Sequence, residues 1–299
     1  MSLLINHVTK KFGNHIAVDD LHLEIPEKGL FGFLGGNGAG KTTTFRMILG
    51  LLDATSGEIT WNGEKIDYDK SHLIGYLPEE RGLYPKLKVK EQLIYLGRLR
   101  GMKKYDIVEQ IKYWLERFEV PQYENKKVEE LSKGNQQKIQ FISAVLHRPK
   151  LLILDEPFSG LDPINVEMLK SAVIEIAKSG TTIVFSSHQM EHVEQLCENI
   201  CILREGKAVV KGNLAEIKQS FGKKNLNIYG DLPFDILRNM PGVIRYQEVV
   251  GGCTLQIENE AVSQQILAAL QGNGFIRRFE LEEPTLNDIF IEKVGERYE

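Results

Sequence analysis

The sequence predicts an α/β protein, a large unit with a mixed sheet followed by a small α+β module. Three observations carry that prediction. A glycine-rich loop, Gly35-Gly36-Asn37-Gly38-Ala39-Gly40-Lys41-Thr42-Thr43, stands between an apolar run and a helical pattern. A second apolar run, Leu151-Leu152-Ile153-Leu154, ends in Asp155-Glu156, as a central parallel strand buried on both faces does. Beyond about Phe221 the order of elements becomes β-α-β-β-α-β, that of a ferredoxin-like sandwich.

The loop's residue types follow from its ligand. Triphosphate is highly negative, and backbone N–H groups surround it only where no Cβ blocks their approach. Four of the six residues from Gly35 to Gly40 are glycine. Leu30 to Leu34 reads as a short buried strand before the loop. Thr43 to Leu52 reads as a helix after it, with Phe45, Ile48, Leu49 and Leu52 on one face. A helix N-terminus adds only about 0.3–1 kcal/mol toward an anion. Lys41 must therefore meet the β- and γ-phosphates, while the Thr42 hydroxyl can reach a Mg²⁺ ion. A glycine-rich turn of an unrelated α/β protein would lack this flanking strand and helix. The loop is built for a nucleoside triphosphate.

Ahead of it, Leu3 to Val8 and His22 to Ile25 read as strands joined by a turn around Gly13-Asn14. Phe12 lies in that connection, either stacked on a nucleotide base or simply a partly buried loop aromatic. Gly57 to Gly63 is turn, strand, turn, and joins the first strands as an antiparallel layer. Leu73 to Leu77 is a strand running into the breaker-rich loop Pro78 to Pro85, which carries Glu79.

From Val89 to Leu146 the pattern is helical. Ile107, Ile111, Trp114, Leu115 and Phe118 form an inward face, against which Leu93, Leu96 and Leu99 are expected to pack. Pro121 ends this run. Val128 to Asn135 leads into a helix carrying Ile139, Ile142, Val145 and Leu146. Ser132 and Gly134 thus sit at a helix N-terminus, as an ordinary cap or as a second anion site.

Asp155 and Glu156 fall at the carboxyl end of their strand, where doubly wound sheets gather ligands. After a phosphate loop, Asp155 reads as the Mg²⁺ partner and Glu156 as the group that orients or deprotonates an attacking water. Ser159 to Asp162 is a turn, and Pro163 starts a helix to Ala177. Thr181 to Ser187 is the next strand. His188 at its end is either incidental or a γ-phosphate contact. Ile200 to Arg204 and Lys207 to Lys211 form a hairpin turning at Glu205-Gly206.

In the last segment Asn225 to Tyr229, Gly242 to Val249, Cys253 to Ile257 and Phe275 to Leu281 read as strands, with helices over Phe234 to Met240 and Ala261 to Leu270. Gly222 to Glu299 holds eight basic and twelve acidic residues, so this segment carries the whole net charge of −4. No catalytic constellation appears there, and it reads as an interaction or regulatory module.

A length of 299 residues with 42% apolar content suits one large domain plus one small one. The charge is not that of a general nucleic-acid binder. No apolar run approaches the about 18 residues of a membrane helix. The start, Met1 to His7, is too short and too quickly polar for a signal peptide. Cys197, Cys201 and Cys253 are an odd set, read as reduced structural thiols of an intracellular protein. The first pair straddles a helix end and a strand start, which disfavours a metal pair.

Taken in order, these motifs resemble the ATP-binding subunit of ABC transporters over Met1 to about Ser220. Gly35 to Thr43 matches the family's Walker A loop, and Leu131-Ser132-Lys133-Gly134-Asn135-Gln136 its signature, usually LSGGQ. Leu151 to Glu156 matches Walker B with the catalytic glutamate, Ser159 to Asp162 the D-loop and His188 the switch histidine. Phe12 falls where the family stacks an aromatic on adenine, which turns its reading toward stacking. Four positions in three motifs depart: Gly36 replaces a proline, Lys133 and Asn135 replace signature residues, and Glu79 stands at the Q-loop glutamine.

The resemblance implies an ABC-ATPase head over 1–220, with a helical subdomain at about 86–148, and an accessory domain over 221–299. It implies two heads docked head to tail with two ATP molecules between them, as homodimer or pseudo-dimer. Each ATP and its Mg²⁺ would be held by Lys41, Thr42, Thr43 and Asp155 of one chain and by Ser132 and Gly134 of the other. Glu156 would polarise the water, His188 steady the transition state, and Glu79 contact the metal or the water. The loop Pro78 to Pro85 would pass closure to an integral membrane permease. The protein would lie on the inner face of the cell membrane and power export of ions, drugs or peptides. Beyond what the resemblance implies, Glu79 is expected to add a negative charge near the γ-phosphate that Lys133 from the opposite chain would offset. A soluble relative acting on ribosomes or DNA would carry two heads or a long coiled coil. A GTPase would carry Asn-Lys-x-Asp, which Asn125-Lys126-Lys127-Val128 fails to complete.

Overall fold

A computed structural model of the chain describes residues 2–66, 68–80 and 82–295. Outside the described residues lie Met1 of the N-terminal reading, Asp67, Arg81 of the Pro78–Pro85 loop, and 296–299 at the end of the accessory segment. The described residues fall into two compact units dividing between Gly212 and Asn213. The sequence reading put that junction near residue 220.

In the first unit, β1 (Leu3–Phe12) and β2 (His15–Ile25) form a hairpin longer than the two segments expected. Phe12 is the last residue of β1, opposite His15, and not a loop residue. Next come β3 (Gly29–Gly35) and α1 (Lys41–Ile48). The helix begins and ends earlier than the expected Thr43–Leu52. Leu49 caps it, and Gly50 takes the left-handed φ of +67° that turns the chain away. Phe45 and Ile48 are fully buried, and Leu49 and Leu52 pack half-buried on the same core. β4 (Ser56–Trp61) and β5 (Glu64–Lys65) complete an antiparallel sheet ordered β2-β1-β4-β5.

After β6 (Ile74–Leu77) the chain is helical through α2 (Val89–Leu99), α3 (Lys104–Arg117) and α4 (Lys133–Val145). The inward face of α3 is as its spacing requires, with Ile107, Ile111, Trp114 and Leu115 buried and Phe118 buried just beyond. Trp114 stacks on Phe118, which meets Phe141 of α4 edge-on at 5.7 Å between centroids. Leu93 is buried and Leu96 half-buried, but Leu99 is 61% exposed and takes no part in this packing. It closes α2 on the solvent side.

The remaining elements are β7 (Leu151–Asp155), α5 (Pro163–Lys178), β8 (Thr182–Ser187), α6 (Met190–Leu196), β9 (Asn199–Arg204) and β10 (Lys207–Asn213). The six-stranded sheet is ordered β10-β9-β3-β8-β7-β6, and β9, β3, β8, β7 and β6 are parallel. Every residue of β7 and β8 is buried, as a sheet covered on both faces demands. Register places Leu34 beside Ser187, Asp155 beside Ser186 and Leu77 beside Leu154. The carboxyl ends of four strands thus form one edge. Cys197 and Cys201 are free and buried, and burial pushes the Cys201 thiol up to about 12.

The second unit contains α7 (Leu214–Ser220), β11 (Lys224–Asp231), β12 (Val243–Val249), β13 (Gly252–Ile257), α8 (Glu260–Leu270), β14 (Phe275–Glu282) and α9 (Leu286–Val294). Its antiparallel sheet is ordered β12-β13-β11-β14, the ferredoxin-like order. Val262, Ile266 and Leu270 of α8 cover Leu226, Ile228, Leu255 and Ile257. The helix expected over Phe234–Met240 is a single 3₁₀ turn, Phe234–Leu237. Pro233 precedes it, and Pro241 keeps Met240 out of helical backbone. No helix among the described residues is long and apolar enough to cross a membrane.

Candidate functional site

The glycines of the loop do distinct things. A Cβ at Gly35 would stand 2.7 Å from the Leu203 carbonyl, and one at Gly40 would stand 2.5 Å from the Ala17 carbonyl. Gly38 and Gly40 take φ of +77° and +104°, the left-handed region that costs glycine little. Gly40 caps α1 without a side chain, so the first-turn N–H groups stay free to meet an anion. Ala39 is buried, and its carbonyl accepts from Gly206 N at 3.1 Å, which ties the loop to the β9–β10 turn. Gly36 is half-buried, while Asn37 is exposed at the loop tip.

Lys41 is the first residue of α1, and its side chain turns back along the loop. Its Nζ donates to Gly35 O at 2.7 Å and to Gly36 O at 3.2 Å. The ammonium therefore lies against the loop backbone. Thr43 is half-buried, and the Thr42 hydroxyl donates to Asp155 Oδ2 at 2.8 Å.

Asp155 is 1% exposed, and each of its oxygens has a partner. Ser186 Oγ donates to Oδ1 at 2.6 Å and itself accepts from Glu156 N at 3.0 Å. Glu156 has a φ of +50°, a backbone conformation that costs a non-glycine residue on the order of 1–3 kcal/mol. The turn aims its carboxylate at His188, whose Nδ1 lies 2.8 Å from Glu156 Oε2 and whose backbone N–H donates to the same oxygen at 3.4 Å. Burial raises the Glu156 pKa above the ordinary carboxylate range, against the lowering pull of His188 and Lys41. Tyr76 of β6 is pushed to about 12 by burial and the nearby Asp155 charge, with Arg46 opposing and Glu79 adding a little.

The other predicted residues sit around this centre. Glu79 is exposed at the exit of β6. Phe12 is 50% exposed at the hairpin tip, with Lys10 Nζ 5.1 Å from its ring centroid. The same hairpin supplies Ala17, on which Gly40 packs. Ser132 caps α4, accepting from Asn135 N at 3.4 Å, and its hydrogen bonds stay within that first turn. Gly134 lies beside Leu161 and Asn165 of the following loop and helix. Within one chain, then, the structure joins Lys41, Thr42, Asp155, Glu156 and His188, and leaves Ser132 and Gly134 apart from them.

Sequence reasoning missed Ser186 and the α4 amides. Gln137 Nε2 donates to Pro157 O at 3.2 Å, and Gln140 Nε2 to Pro78 O at 3.2 Å and Glu80 O at 3.0 Å. Polar residues recurring on a helix face otherwise read as buried are the signal that could have found them.

A glycine loop between a central parallel strand and a helix, facing an acidic strand end, defines a phosphate-loop nucleotide-binding protein. Comparison with known proteins narrows the class. The family described as "ABC transporter" matches residues 18–159, and "ATP-binding protein DrrA1-3-like, C-terminal domain" matches residues 212–294. The chain is 65% identical to the "Uncharacterized ABC transporter ATP-binding protein YhaQ" of Bacillus subtilis (strain 168), over 99% of this chain and 100% of the relative. It is 32% identical to the "Nod factor export ATP-binding protein I" of Cupriavidus metallidurans, over 98% of this chain and 97% of the relative. A solved "ATP binding subunit of ABC transporter" superposes with a TM-score of 0.70 at 28% identity, covering 74% of this chain and 94% of that one. The chain belongs to the ATP-binding proteins of ABC transporters, the ATP-hydrolysing subunits that power them.

Proposed function

We propose that the chain drives an export-type transporter by closing head to tail on a second ATP-binding head, with two ATP molecules in the interface. One observation carries the assignment of roles: Thr42, Ser186 and Asp155 form one hydrogen-bonded unit, and the buried Glu156 stands next to it against His188. ATP lies along residues 35–43, with its phosphates on the free N–H groups and Lys41 and its adenine on Phe12. Lys41 exchanges its bonds to the Gly35 and Gly36 carbonyls for the phosphates. The second chain brings Ser132 and Gly134.

The donor set fits Mg²⁺, because a threonine hydroxyl 2.8 Å from a fully buried carboxylate offers hard oxygen ligands at the mouth of the phosphate loop. Thr42 and Asp155, with Glu79 from the loop after β6, would hold the ion, which neutralises phosphate charge when bound. Glu156 takes a proton from the attacking water, and burial makes it a stronger base than a solvated carboxylate. His188 fixes the direction of that carboxylate and donates toward the γ-phosphate as charge develops there. The export direction is supported by the name of the Nod factor relative, and the accessory unit by the DrrA1-3-like match. An integral membrane permease would hold the chain at the inner face of the cell membrane.

The test is recovery of the full chain from native membranes. An integral membrane protein should accompany it, and the complex should hydrolyse ATP while its Lys41→Ala counterpart does not. Recovery without any membrane partner, or hydrolysis unaffected by Lys41→Ala, would refute the reading.

A further inference from the structure

We infer that Gln140 is a positioning residue that latches the Glu79 loop to the helix carrying Ser132. Gln140 is 3% exposed in the middle of α4. Its amide nitrogen gives its two hydrogens to the carbonyls of Pro78 and Glu80, at 3.2 and 3.0 Å. Those carbonyls flank Glu79 on either side, so one side chain sets where Glu79 leaves the sheet. The amide cannot be reversed in place, because its oxygen would then face two carbonyl oxygens.

The other amides of α4 make this a connection rather than an isolated contact. One turn earlier, Gln137 holds Pro157 O, directly after Glu156, at 3.2 Å. β6 and β7 are neighbouring parallel strands, with Leu77 beside Leu154. Two residues on one face of α4 therefore grip the exits of both strands, one leading to Glu79 and the other following Glu156. The far end of the loop is held as well, where Tyr84 N donates to the buried Gln92 Oε1 at 3.1 Å. Displacement of α4, whose first turn carries Ser132 and Gly134, must drag the backbone around Glu79 with it. Gln140 thereby couples the signature turn to the loop beside the γ-phosphate.

The inference rests on the ATPase reading above, and its test separates the two. The substitutions are Gln140→Met, which keeps the shape without the donors, and Gln140→Asn, which keeps an amide too short to span both carbonyls. In the complex recovered with its membrane protein, kcat should fall about 10- to 100-fold, the range of a misplaced catalytic group, with KM for ATP within about twofold of wild type. In a Glu79→Gln background most of that loss should vanish, because the group being positioned has already been changed. Amide exchange in peptides covering Glu79 to Tyr84 should speed up while that of β7 does not, and this arm needs no hydrolysis. Wild-type-like kcat and loop exchange in both variants would overturn the latch even if the wild type hydrolyses ATP. Strictly multiplicative losses with Glu79→Gln would overturn it too. An inactive wild type with a loosened loop in both variants would instead uphold the latch and refute the ATPase reading. Should Gln140→Met not fold, Gln140→Asn decides alone.

Discussion

The parallel sheet of the first unit and the antiparallel sheet of the second treat polar residues in opposite ways. In the six-stranded parallel sheet, β7 and β8 are buried from end to end, and polar side chains collect where the strands stop. Asp155 and Ser186 meet there, with Glu156 directly beyond. The antiparallel sheet of the second unit alternates instead, with Leu226, Ile228 and Leu255 inward and polar residues on the other face. Those polar residues pair among themselves, as Asn227 does with Glu282 and Thr254. Burial on both faces forces polarity to the strand ends and concentrates chemistry. One solvated face spreads polarity out and yields a surface.

That contrast is open to direct attack. The largest effect should come from Glu156→Gln, which removes the base and should lower kcat by about 10²–10⁴-fold while ATP still binds. A loss under tenfold would move the base elsewhere. Next in size, Ser186→Ala strips a hydrogen bond from Asp155 Oδ1 and another from Glu156 N. Two buried polar groups left unpaired should cost about 1–3 kcal/mol each, read as a lower denaturant midpoint and a reduced kcat. An unchanged midpoint would mean that the unit is not cooperative. Phe12→Ala should weaken ATP binding by about tenfold, the value of a base stacked on an aromatic, and leave kcat nearly intact.

The pH dependence follows from Glu156, whose folded-state pKa is raised by burial. A base acts only when ionised, so kcat should fall as pH drops through that raised pKa, at higher pH than an ordinary carboxylate would require. The linkage runs the other way for stability. A carboxylate with a raised folded pKa destabilises the fold once ionised, so Glu156→Gln should raise Tm above that pKa and lose the advantage below it. Smallest of all, Asn227→Ala in the second sheet should leave kcat within about twofold, since its partners are an exposed Glu282 and a half-buried Thr254 of the same sheet. A large loss there would make the accessory unit part of the catalytic machinery.

The parts of this design that show in sequence are the local ones. Residues 35–43 and the run ending in Asp155-Glu156 are contiguous, and their glycines and charges announce a phosphate cradle without reference to anything distant. Ser186 was invisible as a holder of Asp155, because it lies 31 residues away and looks like any small residue closing a strand. The left-handed backbone of Glu156 left no trace either, since glutamate gives no hint of positive φ. Apolar spacing found the inward face of α4 through Ile139 and Ile142, but hydrophobicity does not register a buried glutamine whose amide N–H groups are taken up by remote carbonyls. The helix expected over Phe234–Met240 failed for a local reason that was present in the sequence: Pro241 restrains the residue before it. Helices α7 and α9 were not read from the sequence because they are short, although the Asn213 cap and the Thr285–Asp288 capping box are local start signals.

The central claim is that the strand-end cluster is half of a site completed by a second head. Light scattering on Glu156→Gln with ATP and Mg²⁺ tests it most directly. The account predicts a particle of twice the chain mass holding two ATP molecules, reverting to single mass when Ser132→Arg is added. A single-mass particle that nonetheless holds ATP would contradict it.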